Sequence, residues 1–293
     1  MTVNPPHGEP AAAGLSSIER KRIALEAILR RMESVLVAYS GGVDSSYLLY
    51  SAATVLGARN VVAATARSPI YVEQDEEALA ALPRRLGVRH VFLRTDQIED
   101  EEFVHNPQDR CYYCKRGVIR KLADIARSEG ARVTVEGSNQ DDRGDYRPGG
   151  RAIREEGARS PLQEANLAKA EIRELARRAG LANWDQPAES CLAARFPYGA
   201  RITAEGLERI RASEAALKEM GFRVVRVRDY GAMARIEVEP GEVARLASPA
   251  VAAKATAALR AAGYKYVAAD LQGYRRGSLN EILPAEAAGE QHG

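Results

Sequence analysis

The sequence predicts an α/β protein, with a parallel, doubly wound sheet first and a smaller α+β domain behind it. Three observations point there. Short apolar, β-branched runs end abruptly in small or polar residues at positions 34–40, 60–66, 88–94 and 132–137. The first three start roughly 25–30 residues apart, the length of a βαβ unit. Helical periodicity fills the stretches between, at 43–55, 73–86 and 115–128. Because the runs are apolar throughout, with no alternation, both faces of their sheet must be covered, as in a parallel sheet wrapped by helices. Ligands of such sheets bind at the carboxyl ends of the strands.

The rhythm changes after Gly180. A segment with the single Trp, Trp184, runs through Pro187, Cys191 and Pro197 to Gly199. A helix at 203–220 follows, then two alternating strands at 223–228 and 234–239, joined by a turn at Tyr230 and Gly231. Another helix and a strand at 265–269 complete what reads as a small antiparallel sheet with helices. The expected division is a flexible tail at 1–17, a first domain at 18–197, a second at 198–278 and a tail at 279–293.

Composition narrows the function classes. Of 293 residues, 45% are hydrophobic and 28% charged, which excludes a wholly disordered chain. Lys and Arg number 42 against 40 Asp and Glu, a net charge of +2 that argues against a broad nucleic-acid or anionic-membrane surface. No apolar run approaches the roughly 18 residues of a membrane span, and the N-terminus has no secretory pattern. Three cysteines, two of them as Cys111-Tyr-Tyr-Cys114, point to a reducing cytoplasm and to metal or sulfur chemistry over a disulfide scaffold.

The segment Ser40-Gly41-Gly42-Val43-Asp44-Ser45-Ser46 closes an apolar run and opens a helix. Its glycines let successive N–H groups point into one concavity, and the helix start adds a positive dipole end. Asp44 would repel phosphate unless it holds Mg²⁺. No Gly-Lys-Ser/Thr follows, so this is not a Walker loop. It resembles the SGGxDS signature of PP-loop ATP pyrophosphatases, of HUP-like fold, which cleave ATP between its α and β phosphates and adenylate a substrate oxygen. That resemblance implies ATP and Mg²⁺ as ligands. The ATP set would be Ala38, Ser40, Gly41, Gly42, Asp44, Ser45, Ala66 and Gly137, at the ends of neighbouring strands.

The cysteines admit three readings from the residues alone: unrelated small hydrophobes, a Cys₃His zinc site with His105, or an iron–sulfur cluster on three thiolates with one open iron. Arg110, Lys115 and Arg195 flank them and should favour thiolate.

Long motifs then sharpen the resemblance. The cradle, NPxDRCYYCK (106–115), EGSNxDDxGDYRPG (136–149), CLAARFPYG (191–199) and DLQGYRRGSLNE (270–281) are similar to the LarE family over positions 18–281. These are ATP-dependent sulfur transferases of nickel-pincer nucleotide synthesis. The resemblance implies adenylation of a carboxylate of pyridinium-3,5-dicarboxylic acid mononucleotide, followed by sulfur transfer to a thiocarboxylate. In one-cysteine members the residue matching Cys191 is sacrificed to dehydroalanine. Cys111 and Cys114 resemble the three-cysteine type, which implies a [4Fe-4S] cluster on Cys111, Cys114 and Cys191. The implied catalytic set is those cysteines with Asp44, also the Mg²⁺ ligand. The resemblance further implies a small-molecule nucleotide substrate and a homo-oligomer, a hexamer, and leaves the sulfur source open.

Arg226 and Arg228 alternate onto one strand face and suit a nucleotide phosphate, or form a solvated basic face. Arg195 is expected at the substrate or, with Tyr198, ordering the Cys191 loop. Tyr112 is expected to stack on the pyridinium ring or merely to pack. Glu136 to Asn139 meet the nucleoside or form a turn, and Asp141, Asp142 and Asp145 hold a second Mg²⁺ or cap Arg143 and Arg147. Tyr274, Arg275 and Arg276 read as structural or subunit-facing. Two rivals remain: a PP-loop tRNA thiolase, which should be strongly basic with more CxxC pairs, and a nucleotide-binding regulator without turnover.

Overall fold

The computed structural model describes residues 16–72, 75–144, 148–187, 190–275 and 277–282. The expectations on Asp145, Arg147 and Arg276, and those on the tails at 1–15 and 283–293, lie outside the described residues.

In chain order the elements are α1 (Ser17–Arg30), β1 (Val35–Ala38), α2 (Val43–Leu56), β2 (Val61–Arg67), α3 (Glu76–Leu86) and β3 (Arg89–Arg94). Next come α4 (Glu101–Val104), α5 (Arg110–Ser128), β4 (Val133–Val135), α6 (Gly149–Glu155), α7 (Pro161–Glu164) and α8 (Lys169–Arg178). The remainder is α9 (Ala204–Glu219), β5 (Val225–Tyr230), β6 (Met233–Val238), α10 (Val243–Leu246), α11 (Pro249–Ala261) and β7 (Tyr266–Ala269).

The first sheet is parallel, in the order β3-β2-β1-β4. Its two faces bury different cores. Val35 and Val37 of β1 pack with Leu25, Leu48 and Ile172, on helices α1, α2 and α8, while Leu36 between them packs with Ile119, Leu122 and Ile153 of α5 and α6. This is the doubly wound α/β arrangement expected from uninterrupted apolar strands. The strand order reverses between β1 and β4, so a crevice opens there at the carboxyl ends.

The second sheet, β5-β6-β7, is smaller and mixed. The hairpin β5–β6 is antiparallel as expected, with Arg226 opposite Glu237. The third strand corrects the expectation of an all-antiparallel sheet. The crossover through α10 and α11 returns the chain to the same end, so β7 pairs parallel to β6. Strand alternation sends Val225, Val227, Ile236 and Val238 into a core with Leu217, Phe222 and Leu259, and turns Arg226, Arg228 and Glu237 to the opposite face.

Two other expectations shift. Cys111 and Cys114 lie within the first turns of α5, not in a loop before a helix starting at Lys115, because the helix begins at Arg110. The segment from 279, expected as a tail, opens with a turn over Ser278–Ile282, and Asn280 accepts a 2.9 Å hydrogen bond from Tyr198. Among the described residues no helix is long and apolar enough to cross a membrane.

The return from β7 toward that turn depends on Gly273. Its φ is +71°, and a Cβ there would stand 2.6 Å from the Val238 carbonyl and 3.0 Å from Pro240 Cα. Gly273→Ala should therefore destabilise the protein by about 2 kcal/mol, read as a lowered urea midpoint at unchanged slope.

Candidate active-site cleft

One cleft of about 2210 Å³ runs from the end of β1 to the polar face of the second sheet. At one end lies the glycine-rich turn. Gly41 takes φ +77°, turning the chain so that Ser40, Gly42, Asp44 and Ser45 border the cleft. Ala38, Ala66 and Gly137 line the same end. Gly41 itself is not among the lining residues; its carbonyl accepts 2.7 Å from Asn183 Nδ2, which also reaches Ser46 Oγ at 2.9 Å. Ser45 Oγ ties the turn from inside, donating to the Gly42 carbonyl at 3.0 Å. Gly137 is required by close approach: a Cβ would sit 3.1 Å from Ser45 N.

Asp44 stands in the first turn of α2, with Oδ2 2.5 Å from Lys169 Nζ. Burial pushes its carboxyl pKa up, and the Lys169 ammonium opposes that. Its second oxygen, Oδ1, is buried without a hydrogen-bond partner. An orphaned carboxylate oxygen beside a phosphate-shaped turn fits a hard divalent cation. Asp141 and Asp142 line the same end: Asp142 accepts from Asn139 N and Asp141 from Lys169 N.

The cysteines gather midway along the cleft. On α5, Cys111, Cys114 and Lys115 share one face by the i, i+3, i+4 rule. Cys111 and Cys191 line the cleft, while Cys114 lies deeper, packed among Ile70, Phe103 and Leu192. All three are close enough for their charges to interact, and the Tyr71 hydroxyl hydrogen-bonds Cys114. Burial first, then Cys191 and Cys111, push the Cys114 thiol up to about 12. Burial also drives the Tyr71 phenol well above its ordinary value. Gln97 Nε2 lies 3.8 Å from Cys114 Sγ.

What delivers Cys191 to α5 is Asn106. It is fully buried with φ +55°, and its Nδ2 donates to the carbonyls of Phe196, Pro197 and Ala200 at 3.4, 2.6 and 3.1 Å. Gly199 N returns a 2.9 Å bond to the Asn106 carbonyl, and Leu192 N donates to the Ile70 carbonyl at 2.7 Å. His105 faces Glu101, with Nδ1 2.6 Å from its carbonyl. Among the described residues no three His, Cys, Asp or Glu side chains surround a single ion position.

Several expected substrate contacts are placed elsewhere. Arg195 is buried with its donors committed: Nε and Nη2 to Glu214 at 2.8 and 2.9 Å, and Nη1 to the Ser190 and Cys191 carbonyls. It orders the Cys191 segment and is not among the residues lining the cleft. Tyr112 points to α6, donating to Glu155 at 2.7 Å with Arg151 4.0 Å over its ring, because it sits a helical step away from the Cys111 face. Arg226 and Arg228 do line the cleft. Arg228 is held by Glu237 at 2.9 and 2.7 Å and donates to the Ala194 carbonyl, while Arg226 lies 5.1 Å over Tyr274.

Tyr71, Gln97, Lys169 and Asn183 join the site from separate segments, Lys169 as the first residue of α8, and carry no local motif. Glu136, expected to meet the nucleoside or form a turn, directly follows β4. Its carboxylate is buried, accepts from Ser138 and Ser160, and lies 3.5 Å from Lys115 Nζ. Burial raises its pKa, but Lys115 and those hydroxyls outweigh this and hold it below the ordinary carboxylate value.

Asn106→Ala should cost about 3 kcal/mol, through three lost hydrogen bonds and a left-handed backbone that alanine tolerates poorly. A urea titration reads it. In metal-free protein at pH 8, iodoacetamide should label Cys111 first and Cys114 last, by peptide mass spectrometry. Since the folded Cys114 pKa of about 12 lies above its unfolded value, the stability this thiol contributes is complete below about pH 8.5 and falls as pH rises toward 12.

No family model matches the chain. Among characterised and uncharacterised proteins it is 35% identical over 269 residues to the pyridinium-3,5-bisthiocarboxylic acid mononucleotide synthase of Lactiplantibacillus plantarum, covering 92% of this chain and 97% of that one. It is 37% identical over 266 residues to an uncharacterized protein of Synechocystis, covering 91% and 99%. An uncharacterized protein of Methanocaldococcus jannaschii matches at 28% over 207 residues, covering 71% and 78%. The ATP-type turn, the cleft behind it and a synthase matched from end to end agree: the chain belongs to the LarE family of ATP-dependent sulfur transferases.

Proposed function

We propose that this protein converts a carboxylate of pyridinium-3,5-dicarboxylic acid mononucleotide to a thiocarboxylate, with sulfur held at Cys111, Cys114 and Cys191. One observation carries the reading: the glycine-rich turn and the cysteine group open into the same cleft. MgATP would lie on Ser40 to Ser45, its phosphates on the turn's N–H groups and the α2 dipole, with the cation at Asp44. For that, Lys169 must leave Asp44 and face the phosphates.

A carboxylate oxygen of the substrate attacks the α-phosphorus, and the bond to pyrophosphate breaks. The acyl-adenylate now carries a good leaving group at carbon. A sulfur nucleophile adds to that carbon, the C–O bond to AMP breaks, and AMP departs with the original oxygen. The mononucleotide's phosphate would meet the basic face of β5 at Arg226, with Arg228 shaping the wall beside it.

Three thiols whose charges interact, one of them buried and hydrogen-bonded by Tyr71, support a cluster reading. A [4Fe-4S] cluster bound through them would leave one iron without a protein ligand, open to hydrosulfide. The chain's part is to hold Cys114 away from water, present Cys111 and Cys191 to the cleft, and fix the Cys191 segment through Arg195 and Asn106.

With MgATP and the dicarboxylate mononucleotide, AMP and pyrophosphate should appear only in the presence of the acid, with one oxygen replaced by sulfur by mass. Asp44→Asn should lower AMP formation by about 100-fold or more. Cys191→Ser should keep pyrophosphate formation and lose thiocarboxylate. Anaerobically purified protein should hold about four iron and four sulfide per chain. Dehydroalanine at Cys191 after turnover would instead make that residue the sacrificed donor, and AMP release without acid would overturn the reading.

A further inference from the structure

The buried arginines in and behind the cleft wall are not electrostatically alike. Arg195 and Arg228 are buried, and each is neutralised by two contacts to a carboxylate, Glu214 and Glu237. Arg110 is just as buried, 4% exposed, yet no carboxylate among the described residues pairs with it. Its Nε and Nη1 are enclosed without any acceptor, and its guanidinium lies 4.8 Å over the Tyr198 ring. A buried cation is tolerated when an anion meets it. Among the described residues no anion meets Arg110, and the guanidinium lines the cleft. Arg110 is also the first residue of the 19-residue helix α5, whose dipole adds positive potential at the same place. The wall is shared: Tyr198 donates to Asn280, and Ser278 accepts from Arg228. Arg110 therefore stands between the cysteine group and the face of the second sheet.

The relative from Lactiplantibacillus plantarum is named for a bisthiocarboxylic acid, a product with two transformed acid groups on one ring. In such a reaction one acid group is adenylated and loses its charge, while the other remains an anion throughout. We propose that Arg110 binds this second, non-reacting carboxylate and so determines specificity for a dicarboxylate over a monocarboxylate ring. This rests on the sulfur-transferase reading above. A thiocarboxylate is an anion of similar shape, so one contact serves whichever group has already reacted. Tyr198 backs the guanidinium and fixes its plane, leaving a charge-assisted hydrogen bond as the point of recognition.

The test is a ratio of affinities, measured by calorimetry without ATP. The probes are pyridinium-3,5-dicarboxylic acid mononucleotide and nicotinic acid mononucleotide, which lacks the second carboxylate. Wild-type protein should prefer the dicarboxylate by about tenfold or more. Arg110→Gln should bring the ratio near one by weakening the dicarboxylate alone, and Arg110→Lys should fall between. A ratio is insensitive to partial misfolding, which would lower both affinities together. An unchanged ratio, or an equal loss for both ligands, overturns the proposal. Wild-type AMP release with the dicarboxylate is measured alongside. Its presence with an unchanged ratio sinks the Arg110 contact alone; its absence sinks the sulfur-transferase reading and this proposal with it.

Discussion

The cysteine pocket depends on one side chain that touches no cysteine. Asn106 reaches three carbonyls of the 196–200 segment, roughly 90 residues away, while its backbone takes a left-handed turn just before α5. Asn adopts that conformation more readily than other non-glycine residues, and its amide supplies the donors that the segment needs. The same short stretch therefore starts the helix bearing Cys111 and Cys114 and docks the segment bearing Cys191. Leu192 bonding back to Ile70 draws the loop after β2 into the same place, and with it Tyr71. A pair of cysteines from one motif becomes a trio through a clamp, not through sequence spacing.

A second constraint links this pocket to the nucleotide end. Lys115 lies one turn beyond Cys111, and its ammonium meets Glu136 at the end of β4. The next residue, Gly137, lies against the first turn of α2. Displacement of α5 at the cysteines would thus be felt at the turn that cradles phosphate. Lys115 and the serine donors together hold the pKa of buried Glu136 down, the ammonium acting across 3.5 Å from a partly exposed position. Solvent screens its direct stabilising effect. Its larger contribution is alignment.

These features explain what was readable in the chain and what was not. Unbroken apolar runs such as VLVA and VVAATA specify strands covered on both faces, and the parallel sheet follows. The glycine-rich turn and the CxxC pair are contiguous, so their chemistry is legible locally. Lys169, Asn183, Tyr71 and Gln97 act only after distant loops meet, and nothing near them in sequence marks the role. Arg195 and Arg228 look like substrate arginines until Glu214 and Glu237 are found beside them. Of the two roles open to Tyr112, packing is the one α5 gives it, because where the helix begins decides which side chains face the cleft. The parallel pairing of β7 escaped for a similar reason, since strand alternation says nothing about direction.

The three thiols are not chemically equivalent. A thiol held near 12 by burial is protonated at neutral pH, and a protonated sulfur is a poor nucleophile. Cys114 therefore cannot be the atom that attacks an acyl carbon in the metal-free protein; it becomes thiolate when a metal displaces the proton. Cys111 and Cys191 border the cleft, where an activated carbonyl would lie. The arrangement separates an anchoring sulfur, buried under Tyr71 and Gln97, from two that face the substrate. That asymmetry sets the three sulfurs apart in exposure as well as in acidity. It also restricts sulfur loss from the chain to the two cysteines that an acyl-adenylate can reach.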